Sequence, residues 1–190
     1  MATPSILIAG IGNIFLGDDA FGVEVVRQMM QQPPVQGVRI IDFGIRGLDL
    51  TYAMLEPYDA AILVDAVPRG EAPGTLYVIE PDPAEVAAMT DGPMEPGEVL
   101  IDAHNMDPLK VLRLARSMGG ELKRILLVGC EPTPFDPETE MEIAISAPVR
   151  AAIPAAMEMI HALVEKLKRE SNDSKLKGTD EHACLRGTHA

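Results

Sequence analysis

Short apolar runs that alternate with amphipathic segments are the feature that most constrains the fold of this chain. Ser5–Gly10, Val38–Ile41 and Ala60–Val64 are apolar runs of strand length. Between them lie two predicted helices, Ala20–Met30, which has apolar residues at helical spacing, and Leu48–Leu55. Because strands and helices alternate in this way, the sequence favours a parallel sheet that is covered on both faces.

The second half of the chain adds a strand at an edge of the sheet. Thr75–Ile79 follows the third strand after a loop too short for a parallel crossover, so we expect it to run antiparallel. A helix from His104 or Asn105 to Met118 then leads to a last strand, Arg124–Val128. The predicted fold class is α/β, with three α/β/α layers around a mostly parallel five-stranded twisted sheet and one antiparallel edge strand.

Beyond the last strand the sequence predicts one long helix and a tail. The helix is expected to run from about Ser146 to Arg169, with an apolar face and a bend at Pro154. The following segment, 170–190, is small, polar and charged, so it is predicted to be disordered. The length of 190 residues fits a single domain, 1–169, followed by this tail.

Composition excludes several classes of partner. The net charge of −13 repels nucleic acid and anionic membranes and suits a cation or a basic partner segment. No apolar run reaches the length of a membrane span, and the first residues lack the basic region of a secretory signal. Cys130 and Cys184 make neither a disulfide framework nor a zinc cluster. We therefore expect a cytoplasmic protein that binds no nucleic acid and no membrane, and that is a monomer.

Acidic residues gather where the predicted parallel strands end. Asp18 and Asp19 follow the first strand, Asp42 the second, Asp65 closes the third, and His104 precedes the next helix. Ligands of open α/β sheets bind beyond these strand ends, and neighbouring carboxylates are costly without a counter-cation. We predict a metal site formed by Asp19, Asp65 and His104. Two oxygens and one nitrogen suit nickel, zinc, iron or manganese and leave coordination positions open.

Some of these residues also have structural alternatives. Asp18 or Asp19 can cap the helix that begins there, and Asp42 can hold turns through backbone N–H groups. Asp65 ends a buried strand, where a carboxylate is costly unless something binds it, so a functional role is favoured there. His104 by itself is balanced between helix start and ligand, and its acidic neighbours favour the ligand.

Two other motifs carry less information. The Gly10-x-Gly12 pair imitates a dinucleotide fingerprint, but Phe15 stands where the third glycine belongs, and Asp18-Asp19 would repel a pyrophosphate. No organic cofactor is therefore predicted. Cys130 follows a strand and has no histidine linked to it in sequence, so we interpret it as a buried structural thiol.

The ordered set of motifs resembles the nickel-iron hydrogenase maturation endopeptidases. The signature is Gly10-Ile-Gly12-Asn13-Ile-x-x-x-Asp18-Asp19-x-x-Gly22. Supporting pieces follow in the family's order: Asp42-Phe-Gly44-x-x-Gly47, Val64-Asp65-Ala66, Ala72-Pro-Gly74-Thr75, the segment around His104, and Val128-Gly129-Cys-Glu-Pro132. The resemblance covers about residues 5–165.

This resemblance implies an activity and a partner. The family cuts a C-terminal extension from the hydrogenase large-subunit precursor after nickel has been inserted. The precursor is thus the expected partner, and nickel is expected to arrive on it. The residues that contact the metal in the family fall on Asp19, Asp65 and His104 here, and Asp42 or Asp65 can assist as a base. The expected catalytic residues are therefore Asp19, Asp65 and Asp42.

The sequence departs from the family at two of these positions. Asp19 stands where some members have glutamate, which shortens the arm without changing the ligand type. Asp42-Phe43-Gly44 stands where many members have a double glycine, so Phe43 is expected to alter how the substrate tail is held. We assign substrate binding to Gly44 and Arg46.

Two rival functions use the same residues. A non-catalytic metal carrier or sensor would use the three predicted ligands but would bind metal tightly by itself. A phosphoacceptor domain resembling a receiver would need a lysine after the last strand, where this chain has Gly129-Cys130-Glu131. We rank the phosphoacceptor last.

Overall fold

The computed structural model describes residues 4–81, 108–121, 124–134 and 144–184. Five strands form one sheet in the order β2-β1-β3-β5-β4: β1 (Ile6–Ile11), β2 (Val38–Gly44), β3 (Ala60–Ala66), β4 (Leu76–Ile79) and β5 (Ile125–Cys130). The described helices are a 3-10 turn (Gly17–Ala20), α1 (Phe21–Met30), α2 (Gly47–Ala53), α3 (Pro108–Ser117) and α4 (Ala147–Cys184). All strand pairs are parallel except β4–β5, which is antiparallel, so the predicted fold class is confirmed.

The sheet is buried between two helical layers. On one face, the α1–α4 face, helices α1 and α4 pack against alternate strand residues such as Ile62 and Val64. On the other, the α2–α3 face, helices α2 and α3 pack against Ala61 and Leu63. Because both faces are covered, every residue of β1 is buried, which explains why the strand is a continuous apolar run rather than an alternating one.

The chain connections create a crevice at the carboxyl ends of β1 and β3. The chain passes from β1 to β2 through α1, on the α1–α4 face. It then passes from β2 to β3 through α2, on the opposite face, so that β3 lies on the other side of β1. In open α/β sheets, a binding crevice forms where neighbouring strands are followed by loops that leave the sheet on opposite faces.

Close packing brings the start of α1 to this crevice. A Cβ on Gly22 would lie 2.0 Å from the carbonyl oxygen of Val64 and 2.4 Å from that of Ile11. A Cβ on Gly10 would lie 2.3 Å from a methyl group of Val26. Gly10 and Gly22 of the signature therefore allow α1 to pack directly against the ends of β1 and β3.

The ends of several elements differ from the prediction. Strands β2 and β3 continue to Gly44 and Ala66, so Asp42 and Asp65 lie inside strands rather than after them. The last helix ends at Cys184 instead of Arg169. Glu170, in this continuation, accepts a hydrogen bond from Arg124, which the sequence did not indicate. The division of the chain into one domain, 1–169, and a tail, 170–190, stays a prediction.

The predicted start of the third helix at His104 or Asn105 lies outside the described residues, and α3 is described from Pro108. None of the helices in the described ranges combines the length and the apolar character that crossing a bilayer requires.

Candidate active site

Asp19 is held by a tight hydrogen-bonded turn after β1. The backbone N–H of Asn13 donates to Oδ2 of Asp19 at 2.6 Å, and the N–H of Asp19 donates to the carbonyl of Leu16 at 3.0 Å. Gly12 has φ +130°, and a Cβ there would lie 1.8 Å from the carbonyl oxygen of Asp19. Only glycine fits this position, so Gly12 of the signature determines where the Asp19 carboxylate lies.

Asp18 has a different role from the capping role considered for it. Neither the 3-10 turn nor α1 has a side-chain cap. The Asp18 carboxylate instead accepts hydrogen bonds from the N–H of Thr133 at 2.8 Å, and from the N–H and hydroxyl of Ser146 at 2.7 and 2.9 Å. Burial would raise the pKa of Asp18, but these hydrogen bonds outweigh it and hold the pKa below its ordinary value. Asp18 thus joins the turn to two distant segments.

Asp65 is a buried acid, with 8% of its surface exposed. Burial, and then the nearby negative charge of Asp19, raise its pKa to about 8, although one oxygen accepts a hydrogen bond from the N–H of Ala66 at 2.8 Å. Burial also raises the pKa of Asp19, against the hydrogen bond from Asn13. In the described ranges no lysine or arginine pairs with either carboxylate. The structure therefore brings these two predicted ligands together as an uncompensated acidic pair.

Asp42 lies apart from this pair. Its neighbours Val38 and Ile40 pack on the α1–α4 face, whereas Ala61 and Leu63, which alternate with Asp65, pack on the α2–α3 face. Strand β1 also separates β2 from β3. Asp42 and Asp65 are thus on different strands and opposite faces, and the catalytic role of Asp42 stays a prediction.

The Asp42 carboxylate has a partner that the sequence did not reveal. Nε of Arg27 donates to Oδ2 of Asp42 at 3.0 Å, from the last turn of α1. The two residues are distant in sequence, and no spacing rule connects a helix residue to the next strand, so no sequence signal identified this ion pair.

Gly44 and Arg46 lie where β2 ends. The carbonyl of Gly44 accepts a hydrogen bond from the N–H of Gly12 at 3.1 Å, which ties the ends of β1 and β2 together. The Arg46 guanidinium donates to the carbonyls of Phe43 and Asp42, and its nitrogen lies 3.8 Å from a carboxylate oxygen of Asp49. Arg46 therefore stabilises the end of the strand, and its role in substrate binding stays a prediction.

Glu131 is a residue that sequence reasoning did not single out. It is 5% exposed and follows β5 directly. Its carboxylate accepts hydrogen bonds from the N–H groups of Arg69 and Gly70 at 2.7 and 3.1 Å and from the hydroxyl of Tyr77 at 3.3 Å. Burial opposes ionisation of Glu131, but the backbone donors prevail and its pKa is lowered. Glu131 thereby fixes the loop that follows Asp65.

Cys130 and His104 complete the set of predicted residues. The Cys130 side chain is fully buried and burial raises its pKa to about 12, which agrees with a structural thiol. His104 lies outside the described residues. Among the residues that the structure does describe, no group of three or more His, Cys, Asp or Glu side chains is placed to hold a metal ion. Asp19 and Asp65 are the two members of the predicted ligand set that lie in the described residues, and their role as ligands stays a prediction.

Comparison with known proteins identifies the family. Residues 23–163 match the family described as HycI, hydrogenase maturation protease, a span that contains Asp42, Asp65 and His104 and begins after Asp19. The chain is 36% identical over 156 residues to the hydrogenase expression/formation protein HupD of Rhizobium leguminosarum bv. viciae, covering 82% of this chain and 71% of the relative. It is 32% identical over 173 residues to the hydrogenase 2 maturation protease of Escherichia coli (strain K12), covering 87% of this chain and 97% of that protein.

Solved structures agree with the sequence relatives. The hydrogenase maturating endopeptidase HybD from Escherichia coli superimposes with a TM-score of 0.64 at 31% sequence identity, covering 85% of this chain and 93% of that one. The fold, the spacing of the motifs and the match over most of the chain thus point to the same enzymes, and this chain belongs to the hydrogenase maturation protease family.

Proposed function

We propose that this protein is a nickel-dependent endopeptidase that removes the C-terminal extension of a nickel-iron hydrogenase large-subunit precursor. The observation that carries the proposal is the pair Asp19 and Asp65, two desolvated carboxylates with no cationic partner in the described ranges. A divalent cation would relieve their mutual repulsion and use their oxygens as ligands. His104 is proposed as the third ligand.

The cation is expected to arrive on the substrate. Nickel held by the precursor and docked against Asp19 and Asp65 would polarise the scissile carbonyl or activate a water molecule. Water adds across the peptide bond, the new carboxylate stays on the precursor, and the leaving amine takes up a proton. Asp65 is the better-placed base, because it lies beside Asp19, whereas Asp42 is paired with Arg27. The proposal includes a cytoplasmic, monomeric enzyme.

Cleavage assays with two forms of precursor test this function. Nickel-loaded and nickel-free precursor are each mixed with the purified protein, and the products are weighed by mass spectrometry. We expect extension release from the nickel-loaded form alone, and loss of release with Asp19→Ala, Asp65→Ala or His104→Ala. Glu165→Ala, which removes an exposed acid on α4, is the control and should cleave normally. Equal cleavage of nickel-free precursor would refute nickel dependence, and normal cleavage by His104→Ala would remove that residue from the ligand set.

Calorimetry separates the peptidase from the metal carrier or sensor. An incomplete set of ligands binds a metal weakly unless another molecule supplies the rest. We therefore expect weak or undetectable binding of nickel to the isolated protein. Tight binding that depends on Asp19 and Asp65, without precursor cleavage, would favour the carrier.

A further inference from the structure

Four exposed apolar side chains lie on the two segments that follow the carboxyl ends of β1 and β2. Phe15, Leu16, Leu48 and Tyr52 are 67%, 47%, 48% and 54% exposed, and we call them the apolar rim. The first two lie on the turn that leads to Asp19, and the other two lie on α2, which begins just after β2. Because exposed large apolar residues that cluster at one place mark interaction surfaces, the rim requires an explanation.

The exposure of Phe15 and Leu16 is imposed by an ordered turn. The N–H of Phe15 donates to the side-chain oxygen of Asn13 at 3.0 Å, and the N–H of Leu16 donates to the carbonyl of Asn13 at 3.0 Å. The N–H of Asn13 in turn donates to Asp19. The turn therefore directs one carboxylate inward while it presents two apolar side chains to solvent.

The α2 half of the rim lies beside the turn. Leu48 and Tyr52 are four residues apart, so they share one face of α2, while Leu50 and Thr51 are buried on the other side. The hydrogen bond from Gly12 to Gly44 joins the ends of β1 and β2, from which the two halves of the rim leave the sheet. The rim is thus continuous with the edge of the sheet at which Asp19 lies.

We propose that the apolar rim is the docking surface for the folded body of the precursor, and that it binds an apolar patch beside the precursor's metal. This inference rests on the proposed function. A metal held inside another protein can approach Asp19 and Asp65 only if that protein's surface comes to rest on the surrounding loops. The turn before Asp19 and helix α2 expose the rim, whereas Asp19 and Asp65 are acidic and complement a cation. Contact with the rim would therefore position the precursor while its metal meets the carboxylates.

Steady-state kinetics with nickel-loaded precursor test the rim. The variants Phe15→Ser, Leu48→Ser and Tyr52→Ser each remove one apolar side chain of the rim. Met30→Ser and Met118→Ser are matched controls at apolar positions elsewhere in the chain, which are 56% and 44% exposed. We expect KM for the precursor to rise about tenfold for each rim variant, with kcat within about twofold of wild type. The controls should keep the wild-type KM. Thermal unfolding of every variant verifies that it is folded.

The outcomes distinguish this inference from the proposed function. If the wild-type protein cleaves no precursor, the proposed function fails. If the wild-type protein cleaves the precursor and the rim variants keep the KM of the controls, the docking surface is refuted. A wild-type dimer in light scattering that the rim variants dissociate would also refute it, because the rim would then bind a second copy of this chain.

Discussion

Two neighbouring acids of this site show how surroundings decide what a carboxylate can do. Asp18 accepts three hydrogen bonds from Thr133 and Ser146, which stabilise its charged form and lower its pKa. Asp65 accepts one from Ala66 and lies buried near the charge of Asp19, so its pKa rises to about 8. Asp18 is therefore suited to hold segments together, whereas Asp65 keeps its proton to a higher pH than an ordinary aspartate does.

We predict that Asp65→Asn makes the protein without bound metal more stable than wild type, increasingly so as the pH rises. The pKa of Asp65 is raised on folding from 3.8 to about 8, so the folded protein binds this proton more tightly than the unfolded chain. The resulting stabilisation is complete below about pH 4 and is lost as the pH rises to about 8. Urea unfolding at several pH values in a chelator should show a gain that grows with pH and approaches about 6 kcal/mol at most well above pH 8.

The control for this prediction is Asp49→Asn, which changes an exposed acid on α2. Its free energy of unfolding should follow the wild-type pH dependence. An Asp65→Asn variant whose stability also falls between about pH 4 and 8, in parallel with wild type, would contradict the assignment of the raised pKa to Asp65.

At the scale of elements, the contact of α1 with the sheet decides whether the acidic pair forms. The helix begins against the carbonyl oxygens of Val64 and Ile11, and the turn that precedes it carries Asp19. Val64 itself precedes Asp65 in β3. The distance between the two carboxylates therefore depends on how closely α1 approaches β1 and β3, which the missing side chain of Gly22 permits.

We predict that Gly22→Ala destabilises the protein and lowers precursor cleavage. The new Cβ would lie 2.0 Å from the oxygen of Val64, which is backbone and cannot turn away, so α1 must shift. We expect a loss of about 1–3 kcal/mol in the free energy of unfolding. Gly70→Ala is the comparison: a Cβ there meets nothing within 4 Å, although its φ of +84° disfavours alanine, so it should cost about 1 kcal/mol. A loss for Gly22→Ala no larger than that for Gly70→Ala would contradict the role of close packing.

The net charge of the molecule and the topology of its sheet both bear on which partner the crevice can bind. The connections place the crevice between β1 and β3, and the net charge of −13 surrounds it with a negative field. That field repels a second copy of the chain and attracts a partner that carries a cation. Acidity and the position of the crevice thus favour the same kind of partner.

We predict that the protein is a monomer in solution and remains one as the salt concentration rises. Like-charged copies repel each other at low salt, and the large exposed apolar residues described outside the rim, Met30, Val78 and Met118, lie in separate parts of the chain. Light scattering at low and high ionic strength should give the mass of one chain in both. A dimer at either ionic strength would contradict this prediction.

The residues alone predict the order of strands and helices, the antiparallel edge strand and the signature from Gly10 to Gly22. Periodicity reports which residues are buried, and a short loop after β3 reverses the direction of the chain, so these properties depend on local sequence. The sequence did not show that the antiparallel partner of β4 is β5 rather than β3. The resemblance also named Asp19 and Asp65, which the fold brings together.

Other properties depend on contacts between residues that are distant in sequence. Strand lengths and crossovers, which no local pattern encodes, decide on which faces Asp42 and Asp65 lie. They also decide the Arg27–Asp42 ion pair and the hydrogen bonds of Asp18 to Thr133 and Ser146. The same holds for the raised pKa of Asp65, because burial and a neighbouring charge exist only after the layers have packed. Local preferences thus select the elements, and long-range packing determines the chemistry of the acids that they carry.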